Sequence, residues 1–138
     1  MTSYRNPSLT VDAFIFDEEY NFILIKRLYY PCKGYWALPG GFVEYGETVE
    51  EATVRESKEE TNIDIELIDL VNVYSDPDRD PRGHTVTVVH TAKGDISTRK
   101  AESDAGEIGI FSQDDLDNLD LAFDHRKIIE DCLKKVKE

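Results

Sequence analysis

Residues 41–63, GFVEYGETVEEATVRESKEETNI, decide how the chain is to be read. Thr48 followed three residues later by Glu51 forms a capping box, so a helix starts at about Val49. Asn62 suits a left-handed cap and ends that helix after about three and a half turns. At about 100° per residue, Glu56 and Glu60 fall within about 40° of each other, and Glu59 lies about 60° from Glu56 on the other side. Val49, Ala52 and Ile63 share this sector, so the acids stand beside small and apolar residues. Like charges one turn apart weaken a helix by about 0.2–0.5 kcal/mol. Two readings account for their presence: a solvated face on which Arg55 pairs with Glu51 and Glu59 at i, i+4 spacing, or a carboxylate cluster that meets a ligand. Glu50, Glu51 and Lys58 point elsewhere and read as ordinary surface charges.

The residues just upstream favour the second reading. A Gly-Gly pair, a strand-like FVE and a second Gly-Glu lead directly into the helix, setting a backbone loop on one side and three carboxylates on the other. Hard oxygen ligands of this kind suit Mg²⁺, or Mn²⁺ in its place, because such ions keep several waters and bridge carboxylates to substrate phosphates.

The whole chain narrows the function classes. Its 138 residues, 40% hydrophobic and 33% charged, make one domain, residues 1–138, with enough sequence to bury a core. The net charge of −13 repels nucleic-acid phosphates, and no basic run tracks a backbone. A small polyanionic substrate remains compatible with that charge if cations accompany it. Apolar runs such as AFIF and NFILI are far short of a membrane span, and MTSYRNPS lacks the basic and apolar regions of a secretory signal. The expectation is a cytoplasmic protein with no nucleic-acid or membrane partner. Cys32 and Cys132 have neither metal-ligand spacing nor a disulfide framework and read as free thiols.

Residues 9–17, LTVDAFIFD, and 22–27, FILIKR, mix β-branched and aromatic residues about the turn-like EEYN and are expected to pair as a hairpin. LYYPCKGY is a loop, and WALPGGFVE places a short apolar piece before Pro39 and two glycines. After the helix, residues 63–74 and 84–92 are expected strands flanking the polar loop SDPDRDPRG. Residues 93–106 look disordered, and EIGIF is a last strand. Ser112 and the region from Asp120 to Asp124 supply N-caps for a short helix and a closing helix. This order fits an α+β or layered α/β/α domain.

Residues 41–63 resemble the signature box of the Nudix hydrolases through Gly41, Glu47, Arg55, Glu56, Glu59, Glu60 and Ile63. Ser57 departs from the aliphatic residue favoured there, and Asn62 from the glycine. Asn is the best substitute for Gly in a left-handed cap, so the second change is mild; Ser57 bears on core packing. The resemblance implies a Nudix-type α/β/α sandwich with a mixed β-sheet and hydrolysis of a nucleoside diphosphate linked to another group. It makes Glu56 and Glu60 the main metal carboxylates, Glu59 a further ligand or base, and the Gly40 carbonyl part of the same shell. Arg55 would orient the glutamates, and Glu47 would anchor the loop to the helix. Family members often draw another acid from a late loop. DAGEIGIF matches that place, so Glu107 is a candidate fourth ligand or general base, or else a solvent-facing acid opening a strand.

Pyrophosphate hydrolysis requires neutralised phosphate charge, an activated water and in-line geometry, which divalent ions among these acids would supply. His84, His90 and His125 have no nucleophile partner in the sequence and read as strand or surface histidines. YSDPDRDPRGH, residues 74–84, resembles the proline-containing segment of ADP-ribose pyrophosphatases, which would split ADP-ribose into AMP and ribose 5-phosphate. Arg79 and Arg82 could fork onto phosphate or ribose oxygens, or simply pair with Asp76, Asp78 and Asp80; Arg27 could reach the diphosphate. Tyr29, Tyr30 and Tyr35 offer aromatic faces for adenine, or pack in a core or interface. Three further expectations stay open: a nucleotide-pool cleansing hydrolase of oxidised or non-standard nucleoside triphosphates, a non-catalytic ligand sensor, and a homodimer. The sensor would lack the glutamates or carry an appended DNA-binding helix pair, and neither is seen in this sequence.

Overall fold

The computed structural model describes residues 5–102 and 105–138. Strand β1 (Ser8–Ile15) is buried on both faces from Val11 to Ile15, which accounts for the mostly apolar run there. Alternate side chains of a strand point to opposite sides. Phe14 enters a core with Val89, Ile128, Ile129 and Leu133, while Ala13 and Ile15 enter another with Ile23, Ile63 and Ala92.

The other elements are β2 (Phe22–Arg27), β3 (Trp36–Ala37), β4 (Gly40–Phe42), α1 (Val49–Thr61), β5 (Ile65–Tyr74), β6 (Thr85–Gly94), β7 (Ala105–Phe111) and α2 (His125–Val136), with short 3₁₀ turns at Ile96–Thr98 and Gln113–Asn118. They form a four-stranded sheet in the order β4-β1-β6-β5 and a three-stranded sheet in the order β3-β2-β7. β1 runs parallel to β6 and antiparallel to β4, so the larger sheet is mixed. The Ile128 and Ile129 side chains put α2 against the first core, and Ile63 brings the end of α1 to the second. This is the expected α/β/α layering. Among the described residues no helix is long and apolar enough to cross a membrane.

Two expectations are corrected. β1 and β2 do not form a hairpin ladder: they meet at a single bridge, Phe16 to Phe22, around a turn in which the Asp17 carboxylate accepts the Glu19 and Asn21 N–H groups. Both edges of β1 are occupied, by β4 and β6, so β2 crosses to the other sheet.

Residues 93–102 are not a featureless run either. Lys93 and Gly94 complete β6, and Asp95 caps the following 3₁₀ turn by accepting the Ser97 N–H. The Lys100 N–H then donates to the Thr61 carbonyl at 2.8 Å and the Glu102 N–H to the Glu60 carbonyl at 3.2 Å. The polar segment thereby satisfies carbonyls that a helix C-terminus leaves without intrahelical partners. Ser103 and Asp104, also within that run, lie outside the described residues.

The helix termini follow the sequence signals. Thr48 Oγ1 accepts the Glu51 N–H and Glu51 Oε1 accepts the Thr48 N–H, both at 3.0 Å. Asn62 adopts φ 63° with its N–H on the Lys58 carbonyl, and its side-chain amide donates to the Thr98 carbonyl. Ser57 is completely buried and its hydroxyl has no hydrogen-bond partner among the described residues, so this departure from an aliphatic residue carries the desolvation cost of a buried polar group.

The left-handed cap gives a direct test. Asn62→Ala is expected to cost about 1–2 kcal/mol, from the Cβ penalty in that conformation and the lost amide bond. Asn62→Gly should cost less than the Ala variant, because Gly enters that conformation freely. Urea unfolding of the two variants beside wild type measures both.

Candidate active site

The site is built on close approach of β4 to α1. β4 lies antiparallel to β1 with Gly40 opposite Asp12 and Gly41 opposite Val11. A Cβ at Gly40 would stand 2.5 Å from Asp12 Oδ1, and one at Gly41 would stand 2.5 Å from the Glu56 carboxyl carbon. No side chain fits at either position without displacing its neighbours. In the space so kept, the Gly40 N–H donates to Glu60 Oε1 at 2.8 Å, while the Glu56 carboxylate lies against Gly41.

Arg55 organises the acids. Its Nε and Nη2 fork onto the two oxygens of Glu47 at 2.7 and 2.9 Å, and Nη1 reaches Glu56 at 2.9 Å and Glu59 at 3.1 Å. Nη2 also donates to the Phe42 carbonyl, and the Glu44 N–H to Glu47 Oε1. The Glu47 carboxyl is held down at about 2, chiefly by the Arg55 bonds and then by the Glu44 N–H. At Glu56 burial prevails and raises the pKa, opposed by Arg55 and reinforced by repulsion from Glu59 and Glu47. Glu47 thus bonds both the loop backbone at Glu44 and the Arg55 side chain of the helix. The alternative Arg55–Glu51 pair does not form, since Glu51 is occupied by the cap.

Glu56 and Glu60 open onto a cavity of about 410 Å³, and Arg27 and Arg82 also line it, giving a cleft bounded by both carboxylates and guanidiniums. Tyr29, Tyr30 and Phe42 contribute aromatic wall. Arg79 reaches the cavity too, but its guanidinium is nearly enclosed and forks onto Asp124 at 2.9 and 2.7 Å, with a third bond to Thr85. Arg82 pairs with Asp80 at 2.8 Å, one of the loop pairings weighed from sequence. Arg27 Nε donates to the Pro31 carbonyl. Tyr35 stands outside the cavity lining, as do Glu59, whose side chain is half-exposed toward Arg55, and Glu107, exposed on β7 opposite Lys26.

The donor chemistry fits a divalent ion incompletely supplied by protein. Among the described residues no three acidic, histidine or cysteine side chains gather closely enough to hold an ion alone. Two carboxylates are the number with which Mg²⁺ is commonly held beside substrate phosphates and water. The crowded acids of α1, whose charge Arg55 offsets only in part, suit added positive charge.

Sequence reasoning missed the cavity floor, where Asp12 and His125 lie. His125 is buried rather than a surface residue: its Nδ1 accepts the Leu38 N–H at 3.0 Å, leaving the neutral ring's proton on Nε2, 3.9 Å from Asp12 Oδ1. Asp12 Oδ2 accepts the Thr87 hydroxyl. Burial is the main cause of both shifts: it raises the Asp12 carboxyl to about 7, against the Thr87 bond and Arg79, and lowers His125 to about 4. An aspartate inside the apolar run VDAFIF was the available signal.

The NUDIX domain model matches residues 6–132. The chain belongs to this family. Nudix proteins are hydrolases, and similar members include an ADP-ribose pyrophosphatase of Methanocaldococcus jannaschii, 50% identical, with the alignment covering 95% of this chain and 76% of the relative. An ADPR responsive transcriptional repressor, NtrR, of Acinetobacter baylyi is 33% identical over 98% of this chain, which spans only 56% of the repressor. Among solved structures, the Nudix domain of Shewanella oneidensis NrtR complexed with ADP ribose superposes with a TM-score of 0.85 at 28% identity, covering 96% of this chain and 90% of that one.

The Nudix cavity floor predicts a pH signature, since stability rises with pH wherever the unfolded chain binds more protons. The raised Asp12 pKa contributes stability that is fully present below its ordinary value of 3.8 and is lost as pH rises through about 7. The lowered His125 pKa contributes stability that is present above 6.5 and is lost as pH falls through about 4. The two oppose each other across one window, and Asp12→Asn removes the first alone. Relative to wild type, this variant should be most stable near about pH 8 and should lose ground on acidification to about pH 4.5. Urea unfolding at fixed pH checks it; a difference that stays constant with pH would contradict the Asp12 assignment.

Proposed function

We propose that the chain catalyses Mg²⁺-dependent hydrolysis of the diphosphate bond of a nucleoside diphosphate linked to another group, with ADP-ribose cleaved to AMP and ribose 5-phosphate. One observation carries the reading: a single cavity has Glu56 and Glu60 in its wall together with Arg27 and Arg82. Metal-binding carboxylates and phosphate-binding guanidiniums are needed together for a diphosphate and are mutually compensating. The 50% identity to a protein named ADP-ribose pyrophosphatase, and the similarity to a Nudix domain solved with ADP ribose, support the choice of substrate.

In this proposal Glu56, Glu60 and the Gly40 carbonyl hold Mg²⁺, with Mn²⁺ as a substitute, and Glu59 and Glu107 are the additional acids from which a further ligand and the general base are drawn. The ion, when bound, supplies neutralisation of phosphate charge. Arg55 keeps Glu56 and Glu59 oriented through its bonds to both. Arg27 and Arg82 hold the diphosphate, and Tyr29 and Tyr30 offer faces to the base. Arg79, held by three hydrogen bonds to Asp124 and Thr85, serves the reaction in this proposal by holding the wall. The long edge strand β5, with Ile68, Leu70 and Val73 exposed, supports a homodimer.

A sensor reading has its own support in the similarity to NtrR. Against it, a domain that only senses ADP-ribose has no use for the repulsion between Glu56 and Glu60, both retained here with Arg55 and Gly41.

The test is hydrolysis by the purified protein with Mg²⁺ of ADP-ribose and, separately, an oxidised deoxyguanosine triphosphate, products resolved by chromatography. AMP and ribose 5-phosphate from the first, with little turnover of the second, is the expected result; the opposite preference would favour nucleotide-pool cleansing, and binding without turnover the sensor. Glu56→Gln and Glu60→Gln should each lower kcat by about a thousandfold, the scale of losing several kcal/mol of charge stabilisation, with folding retained by circular dichroism. Glu59→Gln and Glu107→Gln rank the two further acids on the same assay.

A further inference from the structure

Phe123 combines an unusual backbone with an unusual environment. Its φ is +51°, the left-handed region, where a bulky side chain is an outlier. Such a conformation persists where the surroundings over-determine it, and here they do. The Ala122 N–H donates to the Trp36 carbonyl at 2.9 Å, the Asp124 carboxylate is gripped by Arg79, and the His125 ring accepts the Leu38 N–H. Ala122, Asp124 and His125, the residues flanking Phe123, are tied to β3, to the 75–84 loop and to the residue following β3, with Phe123 turned into the cavity lining between them.

Its ring is shared by two cations. The Arg27 guanidinium carbon lies 5.0 Å from the ring centroid and that of Arg82 lies 5.7 Å away; Arg82 is also 5.6 Å from the Phe42 ring. These distances are within the range of cation–π attraction. Arg27 uses Nε on the Pro31 carbonyl, and Arg82 uses Nε and Nη2 on Asp80. Both terminal nitrogens of Arg27, and Nη1 of Arg82, have no hydrogen-bond partner among the described residues. Burial, and then repulsion by Arg82, lower the Arg27 pKa. Two like charges on one ring, with donors to spare, make a site for an anion with oxygens on adjacent centres.

We infer that Phe123 is a positioning residue for a diphosphate subsite, the shared platform on which Arg27 and Arg82 are laid so that their unused donors serve one diphosphate. The inference rests on the proposed diphosphate chemistry, and it adds a residue from outside α1 and the signature stretch. The ring face, rather than apolar bulk, performs this task. Phe123→Leu keeps most of the bulk and removes the face; Phe123→Tyr keeps the face.

The experiment measures kcat and KM for ADP-ribose, and separately the Kd of inorganic pyrophosphate with Mg²⁺ present, for wild type, Phe123→Leu and Phe123→Tyr, with unfolding midpoints for all three. The Leu variant should raise both KM and the pyrophosphate Kd by about five- to tenfold, with kcat within about twofold of wild type, and the Tyr variant should restore both affinities. Wild-type affinities in the Leu variant, or failure of the Tyr variant to restore them, would overturn the inference. So would an equal loss of kcat and affinity with a lowered midpoint, the mark of a merely structural ring. Failure of wild type to hydrolyse ADP-ribose would refute the proposed function separately. Pyrophosphate then decides for Phe123: weaker binding in Leu restored in Tyr supports the platform, and absence of wild-type binding overturns it.

Discussion

The approach of β4 to α1 is the constraint on which the site depends. A strand can lie this close to a helix bearing long acidic side chains only if its residues lack side chains of their own at the point of contact. Gly41 meets that requirement beside the Glu56 carboxylate, Gly40 meets the matching one against Val11 and Asp12 of β1, and the Gly40 backbone N–H donates to Glu60. The same two glycines pair with Val11 and Asp12, so the helix, the short strand and the central strand of the larger sheet are joined within a few ångströms.

That joining concentrates negative charge, and Arg55 disperses it. One guanidinium bonds Glu47, Glu56, Glu59 and the Phe42 carbonyl, which ties the loop before α1 to the helix itself. Its planar fork is suited to this in a way that a lysine ammonium is not. One cation among several acids does not neutralise them, and Glu56 bears the remaining electrostatic cost through its raised pKa. The opposite imbalance exists in the same cavity, where Arg27 and Arg82 share the Phe123 ring. Separated charge of both signs is thus held in place by hydrogen bonds, stacking and backbone geometry before any substrate arrives.

The helix at residues 49–61 was legible almost to the residue because its signals are local: Thr48 and Glu51 cap one end, and Asn62 closes the other. The same is true of the relation between Glu56 and Glu60, which helical periodicity alone sets. The 8–27 region misled because a hairpin and two adjacent strands of different sheets have the same local pattern; what separates them is that β4 and β6 occupy both edges of β1. The 93–102 segment misled for a related reason, since its backbone partners are the last carbonyls of α1, some forty residues away.

By itself the sequence determined the capped acidic helix, the glycines before it, the α+β character and the set of chemically capable residues. These follow from propensity, periodicity and residue type, which act over a few positions. Only the tertiary structure decided which of those residues share a cavity: it placed Glu56, Glu60, Arg27 and Arg82 in one wall, left Tyr35, Glu59 and Glu107 outside its lining, and added Asp12, Phe123 and His125. Those choices depend on strand order and on contacts between residues far apart in the chain, such as Asp12 and His125. The cost of burying charge and of holding a phenylalanine at positive φ is met by neighbours that no local pattern identifies.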